Sequence, residues 1–124
     1  MRRIVQLSDP EAETWLESVS RWWMVDGGLP TPVLQHEFSD GYRTARADFY
    51  FPDQRTVGEA DGAGKYDAGR AALVAEKQRE EWLRDVFGVE VVRWMAPDVA
   101  TAGRRRMLMS RFQAAFARSA RRSA

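Results

Sequence analysis

The sequence predicts an α/β (α+β) fold in the order α-β-β-β-α-β, closed by a C-terminal basic helix, with a mixed sheet flanked by helices. Three observations predict it. Apolar residues recur at helical spacing in three separate stretches. Apolar and polar residues alternate strictly from Arg43 to Phe51. Gly, Pro or Asp punctuates the junctions between these stretches. At 124 residues the chain suits one compact domain.

The elements follow in order. Ser8-Asp9-Pro10-Glu11 supplies an N-cap, a first-turn proline and a capping-box glutamate. Ala12, Trp15, Leu16, Val19, Trp22 and Trp23 then form one helical face, and Gly27-Gly28 and Pro30 end the helix. The tryptophans at 15, 22 and 23 stand at core spacing and read as packing. Val33 to Phe38 reads as a strand, Ser39-Asp40-Gly41 as a turn. In the next strand, to Phe51, Ala45, Ala47, Phe49 and Phe51 share one face, and Thr44, Arg46, Asp48 and Tyr50 the other. After Pro52-Asp53-Gln54-Arg55 a third strand runs to Asp61. A helix from about Ala68 to Phe87 shows Ala72, Ala75, Leu83, Val86 and Phe87 on its apolar side. Val89 to Met95 is a fourth strand. Pro97-Asp98 opens a last helix whose apolar face is Leu108, Met109, Phe112, Ala115 and Phe116.

Composition narrows the chemistry. Hydrophobic residues make up 44% and charged residues 30%, an ordinary globular mixture. Cysteine is absent, which excludes disulfides, thiolate nucleophiles and cysteine-based zinc sites. The single histidine, His36, excludes every scheme that needs two, and its alternation with Leu34 and Phe38 reads as a half-buried strand residue. No apolar run approaches the ~20 residues of a membrane span. The start of the chain shows no leader-like apolar region, so the expected location is cytoplasmic. The net charge of +1 hides an asymmetry. Seven arginines and no acid follow Val99, which leaves 12 basic against 18 acidic residues in the rest. The expected organisation is a single domain over 1–99 and a basic amphipathic helix or tail over 100–124.

The second and third strands carry the candidate chemistry. A symmetric turn centred between Asp53 and Gln54 places Asp48 opposite Glu59, and Asp61 shares the face of Glu59. Like charges directly opposite destabilise a strand pair. At about 5 Å and an effective dielectric of ~20, one such pair costs roughly 3 kcal/mol. Either neighbouring arginines such as Arg46 or Arg55 neutralise the patch, or a hard cation does. Mg²⁺ takes one or two carboxylates, waters and phosphate oxygens, and can activate water for phosphodiester cleavage.

Ala47-Asp48-Phe49, Gly58-Glu59-Ala60-Asp61-Gly62, Lys65-Tyr66, Glu76-Lys77-Gln78-Arg79 and Val91-Val92-Arg93-Trp94 together resemble the PD-(D/E)XK (restriction endonuclease-like) nuclease superfamily. They look most like its small domains related to the very short patch repair endonucleases. Thr14-Trp15-Leu16-Glu17-Ser18, Arg21, Gly28-Leu29-Pro30 and Leu34-Gln35 match the same domains in order, so the resemblance covers residues 14 to 99. It implies a Mg²⁺- or Mn²⁺-dependent endodeoxyribonuclease in which Asp48 and Glu59 bind the metal and Glu17 contributes, with Gln35 in support. The superfamily's third motif usually ends in lysine, and here Asp61 stands in that place. The alternative is therefore a catalytically inactive nuclease-like module that binds nucleic acid or a protein partner. Lys65 is the nearest replacement lysine in sequence.

Other charged residues carry two readings each. Thr14, Glu17 and Arg21 make a stripe away from the first helix's apolar side, which also suits a solvated Glu–Arg pair. Glu76 and Arg79 fall inside the apolar face of the second long helix. They form either a structural ion pair under the sheet or the wall of a metal cleft, with Arg79 facing phosphate and Lys77 further off. Arg104, Arg105 and Arg106 are candidates for contact with nucleic acid, DNA favoured, although an amphipathic partner helix or a solubilising end has the same composition. A homodimer or a larger assembly is compatible with a chain in which no separate recognition domain is apparent.

Overall fold

The structure, a computed structural model, describes residues 10–61 and 69–123. The expected order α-β-β-β-α-β is present, followed by a further helix. The elements are α1 (Pro10–Asp26), β1 (Val33–Ser39), β2 (Thr44–Phe51), β3 (Thr56–Asp61), α2 (Gly69–Phe87), β4 (Glu90–Met95) and α3 (Ala102–Ser123). A short 3₁₀ turn, Ala96–Val99, separates β4 from α3, so the helix expected to open at Pro97 is split in two. The expected caps at Ser8 and Asp9 lie outside the described residues. The fold is α+β. Its four strands lie in the order β1-β2-β3-β4, antiparallel except for the parallel pair β3–β4. That parallel pair needs a crossover, which α2 supplies.

Two cores sandwich the sheet. On one side Leu16, Trp23 and Met24 of α1 and Leu108, Phe112 and Ala115 of α3 pack on Phe49, Phe51, Ala60, Val92 and Trp94. On the other, Leu83 of α2 meets Phe38, Ala45, Ala47, Val57 and Val89. The segment from residue 100 is thus part of the main core through α3. His36 is half-buried between Phe38 and Tyr50, with ring centroids 4.7 and 4.8 Å away. β3 is one of the two inner strands and is buried on both faces along its whole length.

Three expectations are corrected. Trp15 and Trp22 are exposed, and only Trp23 enters the core. The centre of α1's buried face falls on Leu16, Ser20, Trp23 and Met24, one residue on from the stripe drawn through the tryptophans. Ser20 is buried because its Oγ accepts the Trp94 indole N–H at 2.8 Å. In α2 only Leu83 is fully buried; Val86 is exposed and Trp82 and Phe87 do the packing. The residues expected on one face of β2 divide between the two cores: Ala45 and Ala47 face α2, whereas Phe49 and Phe51 face α1 and α3. The reversal falls at Asp48.

Gly58 explains how β3 can carry a tryptophan flat against it. A Cβ there would stand 3.0 and 3.1 Å from the Trp94 ring and 3.3 Å from Phe112. Overpacking of this kind costs about 1–3 kcal/mol. Gly58→Ala is expected to lower the urea midpoint with an unchanged m-value; an unaltered midpoint would show that the rings shift at no cost.

The far end of the sheet is tied down by α3. Arg118 and Arg122 both bind the Glu90 carboxylate, Arg118 at 2.9 Å. Burial pushes the Glu90 carboxyl up, but the bonds from Arg122 and Arg118 outweigh it and hold the group below its ordinary value of 4.5. A carboxyl depressed in the folded state contributes stability that is present above its unfolded value and lost as pH falls through the folded one. Both arginines are half exposed, which limits the contribution to about 1 kcal/mol. Glu90→Gln is expected to lose that amount near neutrality and to lose less than the wild type on acidification below 4.5. Parallel acid-unfolding curves for the two proteins would refute the assignment.

Candidate active site

The register of the β2–β3 hairpin is the expected one. Tyr50 pairs with Val57 and Phe49 with Gly58, so Asp48 and Glu59 are the next positions along. The regular ladder stops there. In its place the Asp48 carboxylate accepts the Ala60 backbone N–H at 3.0 Å. A side chain thus takes over from the backbone where the strands part, which fixes the carboxylate over β3. On the other side of Asp48 stands Gln35 of β1, between the pairs Leu34–Phe49 and His36–Ala47. Gln35 has φ 52°, a left-handed conformation uncommon for a residue with a Cβ. Such strain persists only where surrounding structure holds it and gathers at functional sites. Its amide donates to Glu17 of α1 at 3.2 Å. Thr14, Glu17, Gln35 and Asp48 line one small cavity, so the fold brings Glu17 and Gln35 to Asp48 as expected.

A second cavity, of about 230 Å³, lies between the sheet and α2 and is lined by Asp48, Glu59, Asp61, Glu76, Arg79 and Arg93 as well as Ala60. Asp48 belongs to both cavities and forms the wall between them. Glu59 and Asp61 are each less than a tenth exposed. Burying carboxylates demands charge compensation, and Arg79 provides it. Its two terminal nitrogens donate to Glu59 Oε1 and Oε2, each at 2.8 Å, in the bidentate fork that guanidinium makes with a carboxylate. A third bond, to the Arg46 backbone carbonyl at 2.9 Å, anchors it to β2. Arg93 of β4 adds a bond to Glu59 at 3.2 Å and ion pairs to Glu76 and Glu80. Burial pulls both guanidiniums down, but Glu59 and the other acids more than offset this for Arg79, and Glu76, Glu59 and Glu80 do so for Arg93. Both are held above their ordinary value and stay cationic.

Of the two readings of Glu76 and Arg79, the ion pair is the one the geometry shows. They pair with each other at 3.3 Å and also line the cleft. The counter-ions of Glu59 are Arg79 and Arg93, where Arg46 or Arg55 was expected. The Arg46 carbonyl holds Arg79, and the Arg55 guanidinium caps α2 at the Phe87 carbonyl. Arg93 was not foreseen as a site residue; its alternation with Val92 and Trp94 on β4 is the signal that places it on the α2 side. Lys77 lines a neighbouring cavity that shares Asp61, Glu76 and Arg93 with the cleft. Lys65 lies outside the described residues. The arginines at 104, 105 and 106 sit away from this cleft, at the start of α3. Arg104 pairs with Asp98, and Arg105 donates to the Val99 carbonyl. Other tail arginines also serve the fold: Arg111 binds the Arg93 carbonyl, and Arg118 and Arg122 bind Glu90.

Comparison with known proteins names no activity. No family model matches the chain, and no solved structure matches it. Two uncharacterized proteins of Mycobacterium tuberculosis, from strains CDC 1551 / Oshkosh and ATCC 25618 / H37Rv, are each 33% identical to it over 99 residues. The matched stretch is 79% of this chain and 36% of each of theirs, so the chain spans about a third of the length of the curated relatives it matches.

The donor set of the cleft suits a hard cation in kind. Four carboxylates against two guanidiniums leave its described walls with a formal charge of −2, and every anionic donor is an oxygen. In arrangement it is closed. Among the described residues no three acids or histidines are grouped so as to hold a metal ion, and the Arg79 fork covers both oxygens of Glu59. Among the same residues no helix is long and apolar enough to cross a membrane.

Proposed function

We propose that this chain is a PD-(D/E)XK-type, metal-dependent nuclease domain that hydrolyses phosphodiester bonds of DNA in the cytoplasm. One observation carries the reading: Asp48, Glu59 and Asp61 meet in a single cleft at the point where β2 and β3 part. To hold Mg²⁺ or Mn²⁺ these three carboxylates would have to draw together, since they are not grouped for it as they stand; the ion would then supply Lewis-acid activation of water and of the scissile phosphate. The protein's own residues do the rest. The bond from the Ala60 N–H orients Asp48. Glu17 and Gln35 support it from the smaller cavity on the α1 and β1 side. Arg79 and Arg93, permanently cationic, are placed to offset the charge that develops on the pentavalent phosphate. They fill the role that a motif lysine would otherwise take, given Asp61 at that position. For Glu59 to bind metal, the Arg79 fork must turn from carboxylate to phosphate, which keeps the cleft closed until an anionic substrate arrives.

A second reading has its own observation. With Glu59 held by two arginines, the cleft is already neutralised in part, which suits a nuclease-like module that binds without cleaving. Calorimetric titration with Mn²⁺ separates the two. Binding that disappears in Asp48→Ala supports the nuclease, and heat-silent titration of the wild type supports the binding module. Digestion of single- and double-stranded DNA and RNA in Mn²⁺ then defines the substrate.

A further inference from the structure

The outward face of α1 carries an aromatic and basic track that neither core nor cleft uses. Trp22 is 65% exposed and Trp15 55%, each a large apolar surface left in water. Trp22 stands at the edge of a cavity of about 530 Å³ between α1 and α3, whose walls include Met109, Arg105 and Arg106. Trp22 and Asp26 also line a second cavity, which shares Ser18 and Arg21 with a third; that third cavity reaches Asp48. The walls are shared in sequence, so the track runs from the α1–α3 groove along α1 to the acid cleft. Its charge is opposite to the cleft's. Over the first two cavities Arg21, Arg105 and Arg106 stand against Asp26 alone, a formal +2.

Over its first two cavities such a surface calls for a ligand that is anionic and carries flat apolar groups. We infer that the track seats a single strand of nucleic acid, with a base stacked on Trp22, phosphates at Arg106 and Arg21, and the strand leading towards Asp48. Base–aromatic stacking needs an unpaired base, because the base faces of a duplex are covered by their neighbours. The inference rests on the reading above that the cleft acts on nucleic acid, and it adds the strandedness and the path.

The test is fluorescence anisotropy of a fluorescein-labelled oligothymidylate of roughly twenty nucleotides, titrated with the full chain in EDTA so that cleavage plays no part. Trp22→Ala is expected to weaken binding about tenfold, and Trp22→Phe, which keeps a stacking ring, less than about threefold. Arg106→Ala is expected to reduce the slope of log affinity against log salt by about 0.7. Unchanged affinity in Trp22→Ala overturns the inference, as does equal loss in Trp22→Ala and Trp22→Phe. Sedimentation of the same proteins supplies a further outcome: self-association lost in Trp22→Ala with oligonucleotide binding intact assigns the patch to a second copy of the chain. Cleavage in Mn²⁺ keeps the two readings apart. Trp22-dependent binding without any cleavage leaves the path standing and removes the nuclease. Asp48-dependent cleavage indifferent to Trp22→Ala does the reverse.

Discussion

Asp48→Asn is expected to lower Mn²⁺-dependent cleavage at least about 10³-fold, which at 1.36 kcal/mol per decade is about 4 kcal/mol of transition-state stabilisation, with little change in stability. The two effects separate because the Asp48 carboxylate has two tasks. One is structural: it accepts the Ala60 N–H where the β2–β3 ladder stops. An asparagine oxygen can accept the same bond. The other is electrostatic: it contributes a full negative charge to the cleft, and asparagine cannot. Asp48→Ala removes both and is expected to cost about a further 1–3 kcal/mol in folding, because the buried Ala60 N–H loses its acceptor. Cleavage rates and urea midpoints of the three proteins decide the matter. An Asn variant that cuts as fast as the wild type removes Asp48 from the site. An Asn variant that is as unstable as the Ala variant shows that the charge holds the strands as well.

Arg79→Ala is expected to be the most destabilising single change in the cleft, by about 2–4 kcal/mol, or roughly 10 °C in melting temperature for a domain of this size. The guanidinium satisfies both oxygens of Glu59, bonds to Glu76 and anchors α2 to the Arg46 carbonyl. Its removal leaves Glu59 buried on β3 with the single 3.2 Å bond from Arg93. The described walls then carry a formal −3. Under the nuclease reading, Mn²⁺ should raise the melting temperature of Arg79→Ala more than that of the wild type, since a cation that binds the folded state alone stabilises it by mass action. A variant that melts like the wild type would show that the fork contributes nothing to folding. A variant that is destabilised but unmoved by Mn²⁺ would leave the ion-pair cluster as scaffolding and favour the module that binds without cutting.

How far the site could be read from the sequence differs from residue to residue. Asp48, Glu59 and Asp61 were legible because a short hairpin turns sequence distance into spatial position, and the register depends only on where the turn is centred. Glu17 and Gln35 came from resemblance, and the structure does bring them to Asp48. Arg93 was missed because its partners Glu59, Glu76 and Glu80 come from two other elements. The tail arginines were legible as a charge run, but not as the capping and clamping groups that five of them are. The tryptophans of α1 misled because spacing gives a stripe and leaves its exact centre open. A shift of one residue moved Trp15 and Trp22 into solvent and Ser20 into the core.

The order of elements, the register of the hairpin and the placing of three acids on it can all be read from the residues in line. These follow from periodicity and turn length, which are local. Which charges neutralise those acids, where β2 reverses the faces of its side chains, and which face of α1 remains in water are settled by packing between elements. Each of these depends on what another element lays against the sheet. Glu59 is governed by α2 and β4, and Asp48 shares a cavity with residues of α1 and β1, neighbours that no local pattern contains.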